Sequence, residues 1–332
     1  MLYAKCDAIE DGCARLWRGL KVFALDISAL TLPEALWADF GSHKGSRGEG
    51  AVLSPIAVLY DLFMRIPVAF RMGRSDADER SLAKRLFKHL KPGSLLLIDA
   101  GFYSIEIFAV LERLRVRFLC PMRSNGRPHL IKPLGEDDGL YEIRRSDAFK
   151  NRAGAPKRML VRIITARRRG WRPRRLVTSL TDSGQYPGAE ITLLYHERWH
   201  IETFFREYKH TLKAQQFHAH TKKALYTEII FQMLLCTLTR LSMADAARHG
   251  ALKPGDLSFT KSLSQIKNIL QITATLPIEK WPEVYEELIR TIATLKIDKR
   301  PGRAFERNRQ KRRKKSRAAR LAKLQRIPRN AA

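Results

Sequence analysis

From Ser94 to Asp99 the chain reads Ser-Leu-Leu-Leu-Ile-Asp. Without a polar residue on alternate positions, this run predicts a strand buried on both faces, as in a sheet covered by helices on two sides, and it ends at a carboxylate. The Lys91-Pro92-Gly93 turn precedes it. Gly101 then allows a tight turn into a helical stretch, Ser104 to Arg115, and Arg117 to Met122 reads as a further short strand. Upstream, Lys21 to Ser28 (Lys-Val-Phe-Ala-Leu-Asp-Ile-Ser) reads as another buried strand with Asp26 in its middle, where a carboxylate is disfavoured and needs a reason. Thr31 to Gly50 reads as loop. Ser54 to Met64 and Ile66 to Met72 form two strand candidates with Arg65 at the turn. Ser75 to Leu90 starts acidic and ends basic, the polarity a helix dipole prefers. The order predicts a mixed α/β sheet, a meander followed by crossovers, in which the strands of Asp26 and Asp99 lie side by side.

The pattern changes after Met122. Residues 123–188 carry turn signals at Asn125-Gly126, Gly135 and Gly154 and strand candidates at Gly139 to Arg145, Lys157 to Ala166 and Leu176 to Leu180, which together read as a β-rich insertion. Within it, Arg167, Arg168, Arg169, Arg172, Arg174 and Arg175 surround Trp171, a mixture suited to gripping phosphates while stacking on a base. A solvated hairpin whose Trp packs on its own sheet is the plainer alternative. From Ala189 onward the pattern is helical, over about 189 to 213, 221 to 248 and 259 to 295. The expected organisation is a short segment 1–20, a core in two parts (21–122 and 189–248) flanking the insertion, a helical region 249–297 and a basic tail 298–332.

Charge narrows the partner. The 332 residues hold 62 Lys and Arg against 33 Asp and Glu, a net charge of +29. From Lys299 onward lie fifteen basic residues and one acidic residue, Glu306, so the tail carries +14 and the rest still carries +15. That excess points to a polyanion for the folded part as well as the tail. The apolar runs are shorter than the roughly 20 residues needed to span a bilayer, and the first twenty residues are too charged for a signal peptide, so a cytoplasmic location without membrane partners is expected. Cys6, Cys13, Cys120 and Cys236 form no CxxC pair.

The residues with the clearest chemical pattern lie between Tyr195 and Lys209, Tyr-His-Glu-Arg-Trp-His-Ile-Glu-Thr-Phe-Phe-Arg-Glu-Tyr-Lys. On one straight helix Tyr195, Arg198, Glu202 and Lys209 share a sector of roughly 60° with Arg206 beside it, while Ile201, Phe204, Phe205, Tyr208 and Leu212 form the apolar side. One carboxylate is thus presented among cations along roughly 21 Å of axis, long enough to follow a nucleic-acid backbone.

This Y-x2-R-x3-E-x6-K pattern, with Asp26 in Ala-Leu-Asp-Ile-Ser and Asp99 in Leu-Leu-Leu-Ile-Asp-Ala-Gly-Phe, resembles the insertion-sequence-4 family of DDE transposases from about Val22 to Arg248. The resemblance implies an RNase H-like mixed sheet with a β-rich insertion before the last catalytic helix, and metal-dependent cut-and-paste DNA transposition in a bacterial, nucleoid-associated setting. It implies Asp26, Asp99 and Glu202 as catalytic ligands of Mg²⁺ or Mn²⁺. Tyr195, Arg198 and Lys209 would hold phosphates of double-stranded DNA, with Arg206 and Trp171 as further DNA contacts, and a dimer would act on DNA. Oxygen donors suit these hard cations, which neutralise a phosphodiester and align its attacker.

Plainer roles are available to each residue. Asp99 fits a helix N-cap, Asp26 a buried polar network, and Glu202 a helical pair with Arg198 or Arg206. His196-Glu197-Arg198-Trp199-His200 is a literal HExxH, the zinc protease pattern, although Thr203 replaces the glycine of its extended form. Because only 25 residues precede Asp26, a truncated, catalytically silent DNA-binding remnant is the second functional reading.

Overall fold

The computed structural model describes residues 16–41, 51–123, 126–145, 156–167, 173–214 and 216–297. Met1–Lys296 is a compact unit; of the second unit, Ile297–Ala332, only Ile297 is described. Among the described residues nine strands form one mixed sheet: β1 (Val22–Leu32), β2 (Val52–Asp61), β3 (Ile66–Met72), β4 (Leu95–Leu97), β5 (Arg117–Pro121), β6 (His129–Gly135), β7 (Asp138–Arg144), β8 (Arg158–Ala166) and β9 (Arg174–Thr178). Their order is β3-β2-β1-β4-β5-β9-β8-β7-β6. The first three strands are an antiparallel meander, whereas β1, β4 and β5 run parallel. The crossover from β4 to β5 is made by a helix, Ile105–Arg113.

The stretch expected as an insertion continues this sheet through β9, which pairs antiparallel with β5. It also contains a strand the sequence reading missed, β6. This strand is mostly exposed and contains Pro133, and its register with β7 is irregular, so it lacks the apolar alternation that marks a strand. Conversely, β1 runs four residues beyond Ser28, and Trp37–Phe40 forms a short helix inside the stretch read as loop. The helix expected over Ser75 to Leu90 contracts to Glu79–Lys84, capped by Asp78, and a 3₁₀ turn at Phe87–His89.

Alternate residues of the central strands enter two cores. Phe23, Leu25, Leu96, Ile98, Phe118 and Cys120 pack with Leu82, Leu86, Phe87 and Phe108 on one face. Val22, Ala24, Leu95, Leu97 and Leu119 pack on the other face, with Ile201, Phe204 and Tyr208. Burial on both sides is why Ser94 to Asp99 carries no alternation.

The first of the C-terminal helices is not straight. It divides into α1 (Gly188–Glu197), α2 (Trp199–Arg206) and a π-helical turn at Glu207–Thr211, where the Leu212 amide reaches the Glu207 carbonyl five residues back at 3.0 Å. Next comes α3 (Lys222–His249), followed by α4 (Phe259–Thr273) and α5 (Trp281–Thr294). Pro277 and Pro282 divide the last pair, which the sequence reading joined into one helix. Among the described residues, α3 alone is long and apolar enough to cross a membrane. It packs against β3, α4 and α5, with Leu225, Ile229, Met233 and Cys236 in the core.

Candidate active site

The parallel ladder between β1 and β4 pairs Val22 with Leu95 and Ala24 with Leu97. Two residues further along each strand direction stand Asp26 and Asp99. Period-two alternation places both on the face of Val22, Ala24, Leu95 and Leu97, the face covered by α2. Adjacent strands lie about 4.8 Å apart, so the two carboxylates are neighbours across the sheet. Glu202 comes from α2, whose Ile201, Phe204 and Phe205 are buried against this same face. The fold therefore gathers three acidic residues from distant parts of the chain.

Arg198 ties two of them together. Its Nη1 donates to Asp26 Oδ2 at 3.3 Å, and its Nη2 donates to Glu202 Oε1. Its side chain is 10% exposed, against 20% for Asp26 and 33% for Glu202, so the bridge is shielded below and opens toward solvent on the Glu202 side. Asp99 lies outside this bridge. It is exposed and accepts from the Ala100 amide at the start of the 3₁₀ turn Ala100–Phe102, so the capping role open to it in sequence is realised. Among the described residues no three His, Cys, Asp or Glu side chains close into a metal cage. The reason is visible in the partners: Asp26 and Glu202 point at a guanidinium, and Asp99 at a backbone amide.

Burial raises the Asp26 pKa most. The Ile27 amide at 2.8 Å and Arg198 pull it down, while Asp99 and Glu202 push it up further, and the net shift is upward. For Arg198 burial acts downward, but Tyr195, Asp26 and Glu202 outweigh it and hold the guanidinium firmly charged. One cation thus sits between two of the three acidic residues.

The predicted stripe of Tyr195, Arg198, Glu202, Arg206 and Lys209 is not one exposed face. Tyr195 is buried and its hydroxyl donates to the Ile98 carbonyl at 3.3 Å, next to Asp99, so it supports the end of β4 and does not face solvent. Arg198 stands at the junction of α1 and α2, drawn inward toward Asp26. Arg206 is exposed at the end of α2, and Lys209 is half-buried in the π-helical turn, where desolvation lowers its pKa. Trp171 lies outside the described residues.

Two arginines beside Asp99 were not evident from sequence. Arg80 donates to the Gly101 carbonyl through Nε at 3.0 Å and Nη2 at 2.9 Å, and Arg123 reaches the same oxygen at 3.4 Å. The position of Arg123, just past β5, was the available signal, since sites in open α/β sheets gather at the carboxyl ends of parallel strands. The HExxH histidines make no zinc site here. His196 is exposed, and His200 Nε2 lies 2.8 Å from Glu197 Oε2 and 3.1 Å from Arg65 Nη2, a cation where a metal ligand would need room.

The donor chemistry nevertheless fits a divalent cation of the Mg²⁺ or Mn²⁺ type. Asp26, Asp99 and Glu202 offer only hard oxygens, and two of them already converge on one positive group.

The chain is similar to known transposases. The family model described as "Transposase DDE domain" matches residues 17–238. The transposase InsG for insertion sequence element IS4 of Escherichia coli (strain K12) is 28% identical over 302 residues, covering 88% of this chain and 68% of that protein. A cryo-EM structure of the piggyBac transposase synaptic complex with hairpin DNA aligns with a TM-score of 0.43 at 11% identity, over 85% of this chain, which spans 59% of that structure's chain.

Proposed function

We propose, because this chain belongs to the transposase DDE domain family, that it is a DNA transposase which cleaves insertion-sequence ends and joins them to target DNA by cut-and-paste transposition. The observation that carries the reading is the convergence of Asp26 and Glu202, 176 residues apart, on one cation beside Asp99. We assign the core to the RNase H-like class; the antiparallel β3-β2-β1 meander beside parallel β1, β4 and β5 supports that assignment.

Asp26, Asp99 and Glu202 are the residues that would hold Mg²⁺ or Mn²⁺. Such cations supply charge neutralisation of the phosphodiester and a deprotonated oxygen nucleophile. The protein's own part is placement. β1 and β4 fix two carboxylates at the spacing of adjacent strands, and α2 brings the third over them. The apolar core beneath keeps water from the underside of the site. Arg80, Arg123, Arg206 and Lys209 supply positive charge for the DNA backbone, and Trp171 with its neighbouring arginines is assigned to the same duplex. Cutting two ends of one element calls for a dimer on DNA.

The test is cleavage of duplex DNA carrying the element's ends. Purified protein should nick or join it only with Mg²⁺ or Mn²⁺, and Asp26→Ala, Asp99→Ala and Glu202→Ala should each abolish cleavage while leaving DNA binding. A protein that binds DNA steeply with salt but cleaves in neither metal is the silent remnant.

A further inference from the structure

We propose that Arg198 is a displaceable counter-ion, which holds the Asp26 and Glu202 carboxylates until a DNA phosphate takes its guanidinium, and so couples divalent-cation loading to DNA capture. This rests on the assignment of those carboxylates as cation ligands.

The guanidinium occupies one oxygen of each carboxylate, and the second oxygen of Asp26 already accepts from the Ile27 amide. Nη1 is on Asp26 Oδ2 and Nη2 on Glu202 Oε1, and among the described residues neither carboxylate bonds any other side-chain cation. A divalent ion and a guanidinium held by the same two carboxylates repel each other, so the binding of one weakens the binding of the other. The ion pair is also placed for exchange. Arg198 projects from the junction of two helices, and its partner Glu202 is one-third exposed. The planar fork of Arg matches a phosphate as well as it matches two carboxylates. A phosphate arriving beside Arg80 and Arg123, which meet at the Gly101 carbonyl next to Asp99, would offer Arg198 a new anion as it frees the carboxylates of their cation. Each ligand then favours the other, and by linkage the coupling is equal in both directions. A permanent structural ion pair would show no such exchange.

The experiment is a Mn²⁺ titration of the full chain without DNA, reading free Mn²⁺ by electron paramagnetic resonance. Arg198→Met should bind Mn²⁺ about tenfold more tightly than wild type, within the usual span of such couplings. Asp26→Asn in the Arg198→Met background should abolish that gain. Equal or weaker binding by Arg198→Met, with binding still lost on Asp26→Asn, overturns the counter-ion role and leaves the ligand assignment standing. Mn²⁺ binding indifferent to Asp26→Asn overturns the assignment and the inference together. Should circular dichroism show Arg198→Met unfolded, wild type decides. Excess duplex DNA at low salt should tighten Mn²⁺ binding about tenfold over an Asp26→Asn control, and no such shift refutes the coupling.

Discussion

Replacing Arg162 by Met should be among the most damaging single changes outside the site. Arg162 lies in β8 with its side chain wholly buried. Its Nε donates to Asp138 Oδ1 at 2.7 Å and its Nη2 to Asp138 Oδ2. Its Nη1 reaches the carbonyls of Tyr186 at 2.7 Å, Leu180 at 3.2 Å and Asp182 at 3.4 Å. The residue thereby fastens β7 and β8 to the segment that leads into α1 and the site. Methionine fills much of the volume but satisfies none of these acceptors. Breaking a buried ion pair costs about 3–5 kcal/mol because the partner charge stays behind. Each abandoned buried carbonyl could add about 1–3 kcal/mol. Asp138 keeps 17% exposure and water can solvate it, so a total near about 4 kcal/mol is expected, well below the simple sum. Urea unfolding should show a midpoint lowered to match, with an unchanged m-value. A loss under about 1 kcal/mol would refute the claim that this arginine anchors the sheet to α1.

Other outcomes follow from individual contacts. Asp26 has a raised pKa, so its stabilisation is complete below the ordinary carboxylate range and is lost as pH rises through the raised value. The thermal stability of Asp26→Asn should therefore fall less than that of wild type as pH rises, and an unchanged pH dependence would contradict the sign. Tyr195→Phe removes the bond to Ile98 and should cost about 1 kcal/mol of stability. Unchanged stability with weakened DNA binding would return Tyr195 to the phosphate-contact role implied by resemblance. Gly188 stands at the start of α1, where an added Cβ would lie 3.0 Å from Asp138 Oδ2, so Gly188→Ala should destabilise the protein in a denaturation assay by crowding the Arg162 pair. Deleting residues 299–332 should flatten the salt dependence of DNA binding, since it removes +14 of the +29 charge, and an unchanged slope would show that the tail makes no phosphate contacts.

The central strands were legible because burial on both faces leaves an unmistakable apolar run, and the two aspartates stood out as charges where such runs resist them. That the strands of Asp26 and Asp99 lie side by side also followed from the order of elements, whereas Glu202 as their partner was implied by the family resemblance. The shape of the Glu202 helix did not follow from either. No Gly or Pro marks the break at Arg198, the residue whose guanidinium pairs with Asp26. The π-helical turn is similarly silent in sequence; its Glu207 pairs with the buried Arg240 of α3. Arg162 reads as an ordinary exposed strand residue until the carbonyls that enclose it are known, whereas Pro277 and Pro282 were plain signals that the last helix must divide.

We propose that Asp26, Asp99 and Glu202 act as one catalytic unit. Asp99→Asn tests it most directly, because Asp99 alone stands outside the Arg198 bridge and its loss should leave fold and ion pair intact. End-bearing duplex DNA incubated with this variant in Mg²⁺ or Mn²⁺ should remain uncut while binding persists at wild-type affinity; cleavage at the wild-type rate would contradict the claim.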